Sequence, residues 1–93
     1  MSKINHEEMQ NGSEYLVLYS FYDKKSETFD TPFCCQTDLF AQRHYHMVTT
    51  KPGSLLCDFK EDFDLYRIGY FNTNDSSLIE HSTLLITGKK EIK

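Results

Sequence analysis

The sequence predicts an α+β fold: a small antiparallel sheet of four to five strands with one helix packed on one face. Three observations predict it. Two runs, Tyr15–Tyr22 (YLVLYSFY) and Asp64–Phe71 (DLYRIGYF), are short, aromatic and β-branched, as strands are. One segment, Thr37–Thr49, carries apolar residues at helical spacing. The strand segments lie before and after that helix, giving the order β-β-α-β-β, which places a helix on one side of an antiparallel sheet.

Each element has its own warrant. In Tyr15–Tyr22, Leu16, Leu18, Ser20 and Tyr22 share one face, and Tyr15, Val17, Tyr19 and Phe21 share the other. Both faces are apolar, so this strand is expected at the centre of the sheet or covered on both sides. Asp23–Ser26 reads as a turn. Glu27–Gln36 reads as a second strand, placed at an edge or bulged at Pro32, because proline donates no ladder hydrogen bond. Paired with the first strand it makes an antiparallel hairpin. Thr37 is a candidate N-cap for the helix, with Asp38 close to its positive end. Phe40, His44, Met47 and Val48 form its expected apolar stripe, with Ala41 and Tyr45 beside them. Lys51-Pro52-Gly53 ends it. Asp58–Asp62 reads as one capped turn. In the strand Asp64–Phe71, Leu65, Arg67, Gly69 and Phe71 alternate with Tyr66, Ile68 and Tyr70. Asn72–Ser77 is a turn. Leu78–Glu80 and Thr83–Thr87 are expected as two short extended pieces.

Length and composition bound the rest. Ninety-three residues, 39% hydrophobic and 26% charged, suit one globular domain with a thin core. Six Tyr and seven Phe argue against a disordered chain. No apolar run approaches membrane-spanning length, so no membrane contact is expected. Residues 1–14 read as a polar arm without the apolar core of a signal peptide. Residues 15–88 read as the domain, and residues 89–93, with Lys89, Lys90 and Lys93, as a basic tail. A cytosolic location is expected, with Cys34, Cys35 and Cys57 reduced. The net charge of −4 has the wrong sign for a protein that grips nucleic acid mainly through phosphates.

No motif here supplies a nucleophile with its base, a phosphate loop or a cofactor site. Cys34 and Cys35 are adjacent and point to opposite strand faces. His44 and His46 sit two apart on a helix. Neither pair chelates readily, and no metal is expected. Asp58, Glu61, Asp62 and Asp64 lack a calcium-loop pattern and read as capping or solvated charge. His44 reads as a core-edge residue. Arg67-Ile68-Gly69-Tyr70-Phe71, beside Tyr15, Tyr19 and Phe21, leaves two readings open. The rings stack single-stranded bases, or they form core or a dimer interface.

Four segments carry a family resemblance: Leu18-Tyr19-Ser20-Phe21-Tyr22-Asp23, Pro32-Phe33, Ala41-Gln42-Arg43-His44-Tyr45, and the stretch Glu61 to Asn72 (EDFDLYRIGYFN). In this order they resemble the small non-structural proteins of gokushoviruses, single-stranded-DNA phages of the microvirus group. The match spans roughly Leu18 to Ser77. Lys60 stands where that family usually has Pro, Asn72 opens a turn without the usual Thr-Gly pair, and the arm before Tyr15 is longer. The resemblance implies a protein absent from the virion that acts between double-stranded replication and single-strand synthesis or packaging. It brings no catalytic residues. It implies scaffold roles, with Gly69 where a side chain does not fit, Tyr66 and Ile68 as core, and Arg43 as a helix-surface or sheet-edge contact.

The expectation is therefore a non-enzymatic phage accessory protein of the host cytoplasm. It would bind single-stranded DNA, phage replication or capsid proteins, or both. Arg67, Tyr70, Arg43, Tyr15, Tyr19 and Phe21 are the candidate contact residues. One helix leaves one sheet face bare, so a homodimer is also expected. The alternative is a homodimer that modulates a host or phage protein without touching DNA.

Overall fold

Strand β1 (Tyr15–Asp23) is the spine of the sheet, and three other strands pair with it. The computed structural model describes residues 15–89, so the expected arm of residues 1–14 and most of the basic tail lie outside the described residues. Among the described residues there are five strands: β1, β2 (Thr28–Phe29), β3 (Phe33–Cys35), β4 (Phe63–Asn72) and β5 (Leu78–Ile86). All pairings are antiparallel, in the order β2-β1-β4-β5, with β3 also on β1. The expected α+β architecture is present. β4 pairs along the whole of β1, so β2 and β3 share β1's other side as one broken edge strand.

The break falls at the proline. Tyr22 faces Phe29, but Tyr19 faces Phe33, so the edge carries one extra residue between them. Inside the bulge the Asp30 N–H reaches Phe21 O at 2.8 Å, and the Ser20 hydroxyl donates to Asp30 O at 2.7 Å. These bonds occupy backbone groups that a regular ladder would have paired.

A second bulge changes which residues share a face. Leu18 faces Gly69, whereas Tyr19 faces Arg67, so Ile68 is the extra residue on β4. Strict alternation would put Tyr70 opposite in sense to Arg67. The bulge returns Tyr70 to the face of Leu65 and Arg67, and both Tyr70 and Arg67 are buried there. On the other side, Ile68 lies opposite His81 and Ser82, and Leu85 is a further extra residue. The two extended pieces expected at Leu78–Glu80 and Thr83–Thr87 are thus one bulged strand, β5.

Helix α1 (Asp38–Thr50) covers one sheet face. Thr37 is its N-cap as expected, accepting from the Phe40 N–H at 3.4 Å. Its buried stripe is Ala41, Tyr45 and Thr49, flanked by half-buried His44 and Val48. The expected stripe through Phe40 and Met47 is therefore displaced around the helix, and both side chains are exposed. Ala41 allows close approach to the strands, and the Tyr45 hydroxyl donates to Phe63 O at 2.8 Å. The core is Val17, Tyr19 and Phe21 of β1, Leu65 and Tyr70 of β4, and Ala41 and Tyr45 of α1.

After Gly53, which holds φ +85°, Ser54 caps a short helix, α2 (Leu55–Asp58). Its hydroxyl accepts from the Cys57 N–H at 3.0 Å and donates to Val48 O at 2.8 Å. A 3₁₀ turn (Lys60–Asp62) then leads into β4. The capped turn expected at Asp58–Asp62 starts earlier, at Ser54, and has two parts.

Two glycines sit where backbone crowds them. A Cβ on Gly69 would lie 2.5 Å from Ile79 O, and one on Gly88 would meet Lys60 O and Phe63 O. Gly69→Ala and Gly88→Ala should each lower stability by about 1–3 kcal/mol, the usual range for overpacking. A shift in urea midpoint at unchanged slope would show it, and an unshifted midpoint would contradict it.

Candidate functional site

Beneath α1 lies a buried polar cluster. Asp38, in the first turn of α1, accepts the Tyr19 hydroxyl from β1 at 2.9 Å and pairs with the Arg67 guanidinium from β4. The Arg67 Nε–H is buried without a hydrogen-bond acceptor among the described residues. Burial drives the Tyr19 hydroxyl pKa far above its ordinary value, and its bond to Asp38 adds to the rise. Burial also raises the Tyr45 and Tyr70 hydroxyls, and for Tyr70 the neighbouring Arg67 charge opposes the rise.

The candidate contact residues divide around this cluster. Tyr19, Phe21, Arg67 and Tyr70 all face α1 and are buried. Tyr15 is half-buried and packs against the same core, while Arg43 is exposed on α1. The six residues therefore do not come together as one exposed surface.

The opposite sheet face is a different surface. In register across it lie three rows: Leu16, Phe71 and Leu78; then Cys34, Leu18, Gly69 and Glu80; then Ser20, Tyr66 and Leu84. Phe29, Tyr22 and Asp64 close it. Leu16 is 39% exposed, Phe29 48%, Leu84 47% and Leu78 69%. Tyr22, Phe29 and Tyr66 pack together, with ring centroids 4.7 Å apart for Tyr22–Phe29, 5.3 Å for Phe29–Tyr66 and 5.9 Å for Tyr22–Tyr66. Most of this face is apolar, Glu80 and Asp64 are its charged members, and no helix lies over it among the described residues. The rows contain no Lys or Arg. Asp64 is already engaged, by the Gly88 N–H at 3.0 Å and Lys24 Nζ at 3.2 Å.

Sequence reasoning grouped Leu16, Leu18, Ser20 and Tyr22 on one face of β1, as the register shows, and the candidate contacts Tyr19 and Phe21 lie on the other, under α1. The signal that could have found the open face is the polar pair Arg67 and Asp38. A buried guanidinium needs a carboxylate, and Asp38 opens the helix, so the Arg67 face is the covered one.

Beside β2 and α2 is a cleft of about 240 Å³ lined by Asp23, Thr28, Phe29, Asp30, Leu55, Leu56 and Phe63. Its carboxylates are tied into local turns: Asp23 accepts from the Lys25 and Ser26 N–H groups, and Asp30 from that of Thr31. Among the described residues no group of three or more His, Cys, Asp or Glu side chains is close enough to hold a metal ion.

Two measurements probe the buried cluster. Asp38→Ala leaves Arg67 as an uncompensated buried charge and should cost about 3–5 kcal/mol, whereas Tyr19→Phe removes one hydrogen bond to a carboxylate and should cost about 1.5–3 kcal/mol. Equal losses in denaturant titrations would contradict the assignment of Asp38 as the hub. The tyrosines give a pH dependence. A phenol whose folded pKa lies above its unfolded value of about 10 holds its proton more tightly in the folded state. Stability should therefore be complete below about pH 10 and fall as pH rises through the raised values. Absorbance at the phenolate band should show Tyr19, Tyr45 and Tyr70 ionising only as the fold is lost. Ionisation of all six tyrosines in one step with circular dichroism unchanged would refute this.

No curated protein and no solved structure matches the chain significantly. A family match does exist, and it runs over residues 16–91, which takes in β1 from Leu16, the whole of β2 to β5, and α1. The chain belongs to the phage ORF5 protein family.

Proposed function

We propose that this phage protein is a non-enzymatic accessory factor that acts by recognition, and that the open sheet face is its contact surface. Family membership supports a phage accessory role. The finer reading rests on the resemblance to gokushovirus non-structural proteins carried by Leu18–Asp23, Pro32-Phe33, Ala41–Tyr45 and Glu61–Asn72. It places the protein in the host cytoplasm, at single-stranded genome synthesis or packaging, outside the virion.

The observation that carries the choice of surface is the exposed row system Leu16, Phe29, Leu78 and Leu84 around half-buried Tyr22, Tyr66 and Phe71. Exposed apolar patches of this extent mark interaction sites. Aromatic rings are available there for stacking, but the rows carry no cation to hold a phosphate backbone, so a protein surface fits better than a nucleic acid. DNA contact through Arg67, Tyr70, Tyr19 and Phe21 would first require α1 to leave the sheet, because all four are buried beneath it.

The test is infection with phage carrying Leu78→Glu and Leu84→Glu, after circular dichroism has established that the variant folds. Double-stranded replicative DNA should accumulate normally while packaged single strands fall at least severalfold. Normal single-strand yield would remove the open face from the function. In parallel, the purified protein should not retain a labelled single-stranded oligonucleotide at low salt. Tight binding that weakens steeply with salt would return the reading to direct DNA contact.

A further inference from the structure

The open face has a relief that a second copy of the same face can fill. Along each strand, side chains on one face repeat every two residues, or about 6.6–6.8 Å. At one end Phe29, Tyr22 and Tyr66 form a packed aromatic ridge. Next to it the row through Leu18 and Gly69 is lower, because Leu18 is half-buried and the place of a Gly69 side chain is filled only to the level of the Ile79 carbonyl. The third row, Leu16, Phe71 and Leu78, rises again. Ridge and trough thus lie side by side on one surface. A two-fold axis running along the rows, between ridge and trough, brings the ridge of each copy over the trough of the other.

Resting on the reading that this face is the contact surface, we infer that its occupant is a second copy of this chain, in a two-fold face-to-face sandwich with the Phe29–Tyr22–Tyr66 ridge seated over Leu18 and Gly69 of the other copy. The area is of the right order. Strands of nine and ten residues and a width of four strands give a footprint of about 30 by 19 Å, or roughly 570 Å² before side-chain relief is counted. A standard interface buries about 800 Å² of accessible surface per partner, which a corrugated face of that footprint approaches. Charge agrees with a self-complementary apolar contact. Asp64 is paired with Lys24, and Glu80 lies on the edge strand β5. Under this symmetry β5 stays at a rim in both copies, so Glu80 keeps its water. Sheets packed in this way sit about 10 Å apart, the spacing of a β-sandwich core.

Light scattering and sedimentation of the full chain should give twice the 10.9 kDa chain mass at micromolar concentration. Phe29→Glu, in the ridge, and Leu84→Glu, beside Tyr66, should each halve that mass. Phe40→Glu, equally exposed but on the helix side, should leave it unchanged. Cys34 lies in the trough row and is exposed in one copy, so maleimide should label it more slowly in the dimer than in the Leu84→Glu monomer. A monomeric wild type, a dimer that survives both face variants, or equal Cys34 labelling in the two forms overturns the inference. The two readings fail separately. A monomer whose face variants still block single-strand production sinks the self-association and spares the contact surface. A dimer that the variants break without affecting infection does the opposite.

Discussion

One carboxylate sets how the helix lies on the sheet. Asp38 is in the first turn of α1 and receives Tyr19 from β1 and Arg67 from β4, the two central strands. Its position near the helix N-terminus is already favourable for a negative charge. Once Asp38 points at the sheet, the residues three, seven and eleven further on must point there too. Those are Ala41, Tyr45 and Thr49, the buried stripe. Phe40 and Met47, more apolar than Thr49, are turned away as a result. Thr49 is accommodated because its hydroxyl donates to Tyr45 O at 2.8 Å.

The same pairing decides which sheet face is covered. Arg67 cannot be buried without its carboxylate, so its face must be the one α1 occupies. The Ile68 bulge then draws Tyr70 to that face as well, leaving Gly69 on the other. A sheet has two faces, and the described residues supply one long helix. The short helical turns between Leu55 and Asp62 are placed before β4 and leave the Leu16–Phe71–Leu78 end bare. The edges differ in the same spirit. One is broken at Pro32 and closed by Ser20, which discourages strand addition there. The open face therefore keeps Leu16, Phe29, Leu78 and Leu84 exposed.

Most of the fold was legible because it rests on local signals. Tyr15–Tyr22 and Asp64–Phe71 are strands by composition, Thr37 caps the helix, and Pro32 marks the break in the edge strand. What was not legible depends on contacts distant in sequence. Strict period-two reading of Asp64–Phe71 set Tyr70 against Arg67, since nothing local announces the extra residue at Ile68. The helical stripe was read from hydrophobicity, whereas a buried charge pair linking residues 38 and 67 rotates it. Leu78–Glu80 and Thr83–Thr87 read as two pieces because His81 and Ser82 interrupt the apolar pattern, yet both lie within a bulge opposite Ile68. For the candidate site the same cause applies. Aromatic residues of β1 are legible as such, but which of its faces meets water is decided by Asp38.

That decision bears on what an acidic phage protein offers to a nucleic acid or to another protein. Phosphate recognition needs cations next to the rings that stack bases. Here the cation nearest the aromatic strands, Arg67, is consumed by Asp38, and Lys24 is consumed by Asp64 and the Gly88 carbonyl. Both basic groups are spent holding the fold together, one fixing the helix and the other fastening the chain after β5 to the turn after β1. What remains outward on the rows of the open face is mostly apolar, with Glu80 its exposed charge and no Lys or Arg. Such a face gains by excluding water against another apolar face and has little to offer a polyanion. The division is physical: the Arg67–Asp38–Tyr19 chemistry is turned inward to set the geometry, and apolar side chains such as Leu16, Leu78 and Leu84 are left exposed on the other sheet face.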